Sequence, residues 1–144
     1  MILNVSYNEP DINRLIDEKV GKSYSLMERL KMGGTGSPPF DINACSTAIY
    51  HLLILDNNRN RCNVEIRRNG ILIRFRSLLD TFALVIPYYK LAMYKTAPET
   101  YSIHIDHHFI RLRAPGKASD KFLRQLLTLK NERQSGYLTS GDLK

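Results

Sequence analysis

Arg59, Arg61, Arg67, Arg74 and Arg76 crowd one stretch of the chain. Guanidinium forks match phosphate oxygens two at a time, so such a cluster could build an anion site. Alternation about Asn69-Gly70 puts Arg67, Arg74 and Arg76 on the polar side of a hairpin, with Glu65 opposite Arg74. The plainer reading is a solvated sheet face partly neutralised by Glu65. The five arginines stand as candidate anion-binding residues. His104, Asp106, His107 and His108 are all metal-ligand types, and strand alternation could bring His104, Asp106 and His108 to neighbouring positions. The helical His-Glu-x-x-His spacing is absent and no Cys joins them, so a polar hairpin tip is the simpler account. No metal is expected; those three are the secondary candidates.

Other chemistry finds less support. Gly33-Gly34-Thr35-Gly36-Ser37 lacks the Lys-Ser/Thr of a nucleotide-binding loop and reads as a linker. Cys45 and Cys62 have no neighbouring base in sequence, and inert thiols are the default. No carboxylate pair sits in an apolar setting that would split its pKa values. Tyr88, Tyr89 and Tyr94 with Lys90 and Lys95 form an aromatic and basic group, half of which alternation assigns to a core. The expectation is no enzyme and no cofactor.

The elements that would position these residues are mostly strands. Asn69-Gly70 reads as a two-residue type I′ turn. Folding about it pairs Ile66 with Ile73 and Val64 with Phe75, leaving one apolar face. Thr81 to Ile86 reads as a buried strand broken at Pro87, and Leu91 to Lys95 as a short one. A turn near Asp106-His107 pairs Ile103 with Ile110, Tyr101 with Leu112 and Ser102 with Arg111. Residues 44–55 suit either state, and the dense apolar run favours a strand over 47–55. Residues 9–31 read as helical, with Ile12, Ile16, Val20, Met27 and Leu30 near one face and Leu15 beside them. Gly21 weakens the middle, and Ser25 with Glu28 has capping-box spacing, which suggests a break and a second short helix. A helix from Ser119 to Arg133 carries a broad stripe including Phe122, Leu123 and Leu126 that must pack on a sheet.

The chain has 144 residues, 43% hydrophobic and 24% charged, enough for one domain with a real core. Its net charge of +7 favours acidic partners: protein surfaces, anionic lipid head groups or nucleic acid. The absence of Trp and of long Lys/Arg blocks argues against a dedicated nucleic-acid protein. No transmembrane segment or secretory leader is evident, and two cysteines suggest reduced thiols and a cytoplasmic setting.

About seven strands between Thr47 and Arg113, with no helix read between them and one amphipathic helix after them, argue against a parallel βαβ sheet. The stretch Phe82 to Leu91, with Ile86-Pro87-Tyr88-Tyr89-Lys90-Leu91, resembles a passage of small bacterial pleckstrin-homology-like domains. Arg68 to Ile73 resembles the strand before it, and Ile103 to Arg113 with the last helix continues the order. The resemblance spans about residues 47–133. It implies an α+β fold: an antiparallel β roll or barrel of about seven strands covered by a C-terminal helix. Residues 1–40 would be a helical extension and linker, 41–134 the β domain, and 135–144 a flexible tail. In phosphoinositide-binding members basic residues near the first two strands hold the head group. Here Arg59 and Arg61 lie in the matching loop, while His51 and Leu55 stand where a Lys would help. The expected function is a non-enzymatic binding or scaffold module acting through a protein partner or self-association. The alternative is a basic module for phosphorylated head groups or a nucleic-acid backbone.

Overall fold

The computed structural model describes residues 1–53 and 60–142, with side chains in the last helix as far as residue 133. The order is β1 (Ile2–Asn4), α1 (Pro10–Val20), α2 (Leu26–Met32), β2 (Phe40–Cys45), α3 (Thr47–Leu53), β3 (Arg61–Ile66), β4 (Gly70–Ser77) and β5 (Asp80–Pro87). A 3-10 turn at Tyr88–Lys90 leads into β6 (Ala92–Ala97), β7 (Thr100–Ile105), β8 (His108–Arg113) and α4 (Lys117–Asp142). The fold is α+β, with one open antiparallel sheet in the order β1-β5-β4-β3-β2-β8-β7-β6.

Alternation in the strands builds the core. Val64, Ile66, Ile71, Ile73, Leu84 and Ile86 share one buried cluster with Ile103, Ile110 and Leu112, so the sheet curls around a common interior. Phe122, Leu123 and Leu126 of α4 complete that cluster, and Phe40 meets Phe122 edge-on with ring centroids 6.2 Å apart. The opposite face of β4 and β5 is covered by α1, whose Ile16 and Val20 bury against Leu72 and Val85. Full burial of each such side chain is worth about 1.5–3 kcal/mol.

Several expectations are corrected. Residues 47–53 are helix, not strand: Ile49 and Leu53, one turn apart, are the buried pair, while Tyr50 and His51 are exposed. The rest of that expected strand, Ile54 and Leu55, lies outside the described residues. The first strand of the main meander is instead β2, which pairs with β3 and β8. Strand β1 adds an element that the sequence pattern does not signal, and it pairs with β5, Ile2 opposite Leu84. Helix α4 continues past Arg133 to Asp142.

The second hairpin has the expected register, with Ile103 opposite Ile110, Tyr101 opposite Leu112 and Ser102 opposite Arg111. The first is shifted by two residues: Val64 faces Ile73, Cys62 faces Phe75, and Arg74 faces Asn63. A two-residue shift keeps every side chain on its face, so the apolar side survives. The turn centres on Arg68 and Asn69, closed by Arg67 N–H donating to Gly70 O at 2.8 Å. Gly70 is outside the positive-φ region, so no type I′ turn forms on Asn69-Gly70. The surroundings select this register. Asn69 N–H donates to Val20 O at 2.8 Å, and Asn69 O accepts from Tyr88 N–H at 2.9 Å.

Candidate functional site

Of the five arginines, Arg67 and Arg74 line one cleft, and carboxylates engage both. Arg67 Nε donates to Glu65 Oε2, and its Nη1 reaches Asp17 Oδ1 and Gly21 O, both at 3.3 Å. Arg74 Nη1 donates to the other Glu65 oxygen at 2.8 Å. Burial raises the Glu65 carboxyl pKa, but Arg74 and Arg67 outweigh that and hold it below its usual value. Arg67 thus fastens α1 to the sheet, while Arg74 joins β4 to Glu65 of β3. Arg61 lies 3.5 Å from Asp41. Arg76 is exposed, and Arg59 lies outside the described residues. A cleft of about 660 Å³ opens between the β6–β7 turn and the start of α4, lined by Lys95, Glu99, Lys117, Asp120, Lys121 and Arg124 among others. A second, of about 530 Å³, holds Arg67, Arg74, Asp17, Tyr7 and Asn13.

The histidines are separated by the hairpin itself. His104 pairs with Phe109 and stacks on its ring, with its Nε2 2.7 Å from Ser102 Oγ. His108 pairs with Ile105, so alternation turns it to the other face. Asp106 sits in the turn and reaches Lys90 Nζ at 3.5 Å. Among the described residues no group of three His, Cys, Asp or Glu side chains could hold a metal. Cys62 is buried and its thiol is pushed up to about 12, by burial first and then by Asp41. Burial also raises the half-buried Cys45 thiol. The expected result with a thiol-specific alkylating agent is slow labelling of Cys45 and none of Cys62 until the protein unfolds. Equal native-state rates at both, read by mass spectrometry, would contradict that burial.

Helix α2 is the feature that hydrophobic periodicity misread. Helical spacing alone places Met27 and Leu30 on the same face as Ile16 and Val20. In the structure α1 ends at Gly21, whose φ of 81° lets the chain turn away. Leu26, Met27 and Leu30 are then 73%, 74% and 74% exposed. The helix is nonetheless firmly seated. Ser25 and Glu28 form a reciprocal capping box. Arg68 grips Glu28 with two bonds, 3.0 and 2.6 Å, and lies 4.9 Å over the Tyr24 ring. Gln125 Nε2 of α4 donates to Met32 O at 3.1 Å, while Met32 and Tyr24 pack against the core. The clamp turns Glu28 and Met32 inward, so the apolar stripe faces out by construction. The capping-box spacing was the readable signal for this helix; its orientation depends on Arg68 and Gln125, distant in sequence.

Hydrogen bonds from the Arg68 side chain and then from Ser25 hold the Glu28 carboxyl at about 2. A depressed value means the clamp is fully present above the ordinary Glu value of about 4.3 and is lost as pH falls through about 2. The Glu28 side-chain carboxyl carbon should accordingly titrate near 2 by NMR. Titration in the ordinary Glu range would show the Arg68 grip to be open in solution.

No protein-family model, curated protein or solved structure matches the chain. Among the described residues no helix is long and apolar enough to cross a membrane.

Proposed function

We propose that the protein is a non-enzymatic binding module that works through protein–protein contacts, built on a pleckstrin-homology-like roll. The observation that carries this reading is the stripe Leu26, Met27 and Leu30, exposed on a helix clamped in that orientation. Burying a Leu or Met side chain gains about 1.5–3 kcal/mol, so three held ready on one short helix favour covering by a partner. Pre-seating matters as well, because a helix already ordered loses little entropy on binding. The roll is supported by the strand order from β5 through β2 to β6, with α4 packed on the interior. Free thiols at Cys45 and Cys62 fit a reducing, cytoplasmic setting. The rival reading, an anion-binding module, loses support where Glu65 and Asp17 already occupy Arg67 and Arg74.

The test is site-specific photo-crosslinking in native cells. A photoreactive side chain at position 27 should give a discrete protein adduct, and one at exposed Glu18 on α1 should not. No adduct from position 27, or the same adducts from both positions, would remove the proposal.

A further inference from the structure

Helix α2 shows more than an apolar stripe. At about 100° per residue, Leu26, Leu30 and Met27 span one side of the helix, and Arg29 and Lys31 fall on its two borders. Glu28 and Met32 occupy the opposite side, against the body of the protein. Arg29 and Lys31 are both exposed. Among the described residues neither forms an ion pair, although Arg29 Nε donates to Tyr24 O at 2.9 Å. The one carboxylate on the helix, Glu28, is taken by Arg68. The outward surface is therefore an apolar ridge with a cation on each side and no anion of its own.

We infer that this ridge takes an amphipathic helix of another protein whose apolar stripe is bordered by Asp or Glu, a conclusion that rests on the binding role proposed above. Leu26 and Leu30 are one turn apart and form a ridge of the kind that packs into the groove of a facing helix. Met27 beside them adapts to irregular partners. Charge selects among the occupants. A second copy meeting the same surface about a two-fold axis would set Arg29 and Lys31 against themselves, on a chain that already carries +7. Anionic lipid surfaces are usually read by clusters of about four to eight basic residues beside the apolar element, and only two border this stripe. Acidic flanks on a partner helix answer both cations and steer its approach.

The experiment uses the full-length protein and fluorescent synthetic helical peptides with Leu at the first and fourth positions of each heptad. One peptide carries Glu on both flanks and the other Lys. The Glu-flanked peptide should bind, and Leu30→Ser or Met27→Ser should weaken it by about tenfold or more. Combining Arg29→Glu with Lys31→Glu should transfer the preference to the Lys-flanked peptide. Met27 and Leu30 are not buried, so thermal unfolding of their Ser variants followed by circular dichroism should stay unchanged, and the double Glu variant should lose little beyond the Arg29 bond to Tyr24 O. Equal binding of the two peptides, or no binding of the Glu-flanked one at low salt, would overturn the inference. So would stripe-dependent binding confined to phosphatidylserine vesicles, or self-association abolished by Leu30→Ser. Crosslinking from position 27 together with any of these results would leave the binding role standing and remove only the acidic helix.

Discussion

Replacing Gly70 with Ala is expected to destabilise the protein by about 3 kcal/mol, the upper end of what overpacking a tight interior costs. A Cβ on Gly70 would lie 2.3 Å from Ile86 O, 2.9 Å from Pro87 Cα and 2.6 Å from Val20 Cγ1. Two of these atoms are backbone of β5, which is held in the ladder on one side by β4 and on the other by β1. The third belongs to the last residue of α1, whose carbonyl accepts from Asn69 N–H. The two backbone atoms cannot yield without shifting the strand, and the Val20 side chain is fully buried. Chemical denaturation should show a large drop in the midpoint. Gly36→Ala, where a Cβ meets nothing within 4 Å, should change the stability by less than about 0.5 kcal/mol. Val20→Ala should not rescue Gly70→Ala, because the carbonyl of Ile86 remains in the way. A Gly70→Ala protein as stable as the parent would mean that β5 and α1 do not close on the turn as described.

Gly70 also shows where local reasoning succeeds and where it fails. Its position after Asn69 signals a reversal, and a reversal is there. What local signals do not carry is why the residue is Gly. The requirement is close approach by β5 and α1, not a positive φ, so the register settles two residues from the one an Asn-Gly turn would impose. The apolar face is still right, since Val64, Ile66, Ile71 and Ile73 alternate inward under either register. The Asp106-His107 hairpin, less constrained by neighbours at its turn, follows its local signal fully. Strand β1 is three residues long and β2 carries a bulge between Ile42 and Ala44, so neither has enough period-two pattern to stand out. In 47–53 the apolar run fits two periods, and only packing of Ile49 and Leu53 decides between them.

The same limit governs the candidate sites. Composition and alternation identify Glu65, Arg67 and Arg74 as neighbours on one sheet face. They do not show that Asp17, far upstream, arrives to share Arg67, which turns a group of apparent anion ligands into a fastening. Likewise the spacing of Met27 and Leu30 matches Ile16 and Val20 as if one helix ran through. The break at Gly21 and the grip of Arg68 on Glu28 put the two pairs on different surfaces. Burial patterns in sequence say which residues are apolar; only tertiary anchors say which of them the fold leaves uncovered.

Glu65→Ala should cost about 2–4 kcal/mol, somewhat less than breaking a fully buried ion pair. Arg67 keeps only 13% of its side chain exposed, whereas Arg74 keeps 34%, so solvent screens the second contact more than the first. Removing the carboxylate leaves Arg67 with Asp17 and the Gly21 carbonyl alone, both at 3.3 Å, and leaves Arg74 without its ion-pair partner. Glu65→Gln retains a hydrogen-bonding oxygen and should cost less, about 1–2 kcal/mol. The two variants also separate charge from shape by pH. Because the folded Glu65 pKa lies below the unfolded one, its contribution is fully present above the ordinary Glu value of about 4.3 and fades as pH falls through the folded value. The stability gap between the parent and Glu65→Gln, read from urea midpoints, should therefore be widest at neutral pH and narrow below about 4. Glu65→Ala should lose the contribution at every pH and keep a residual gap in acid from the missing hydrogen bonds. A parent-to-Gln gap that stays constant across that window would mean the carboxylate is not held by charge. Helix α1 would then rest on the sheet through Ile16 and Val20, the Asn69 N–H bond to Val20 O and the Arg67 contact with Asp17.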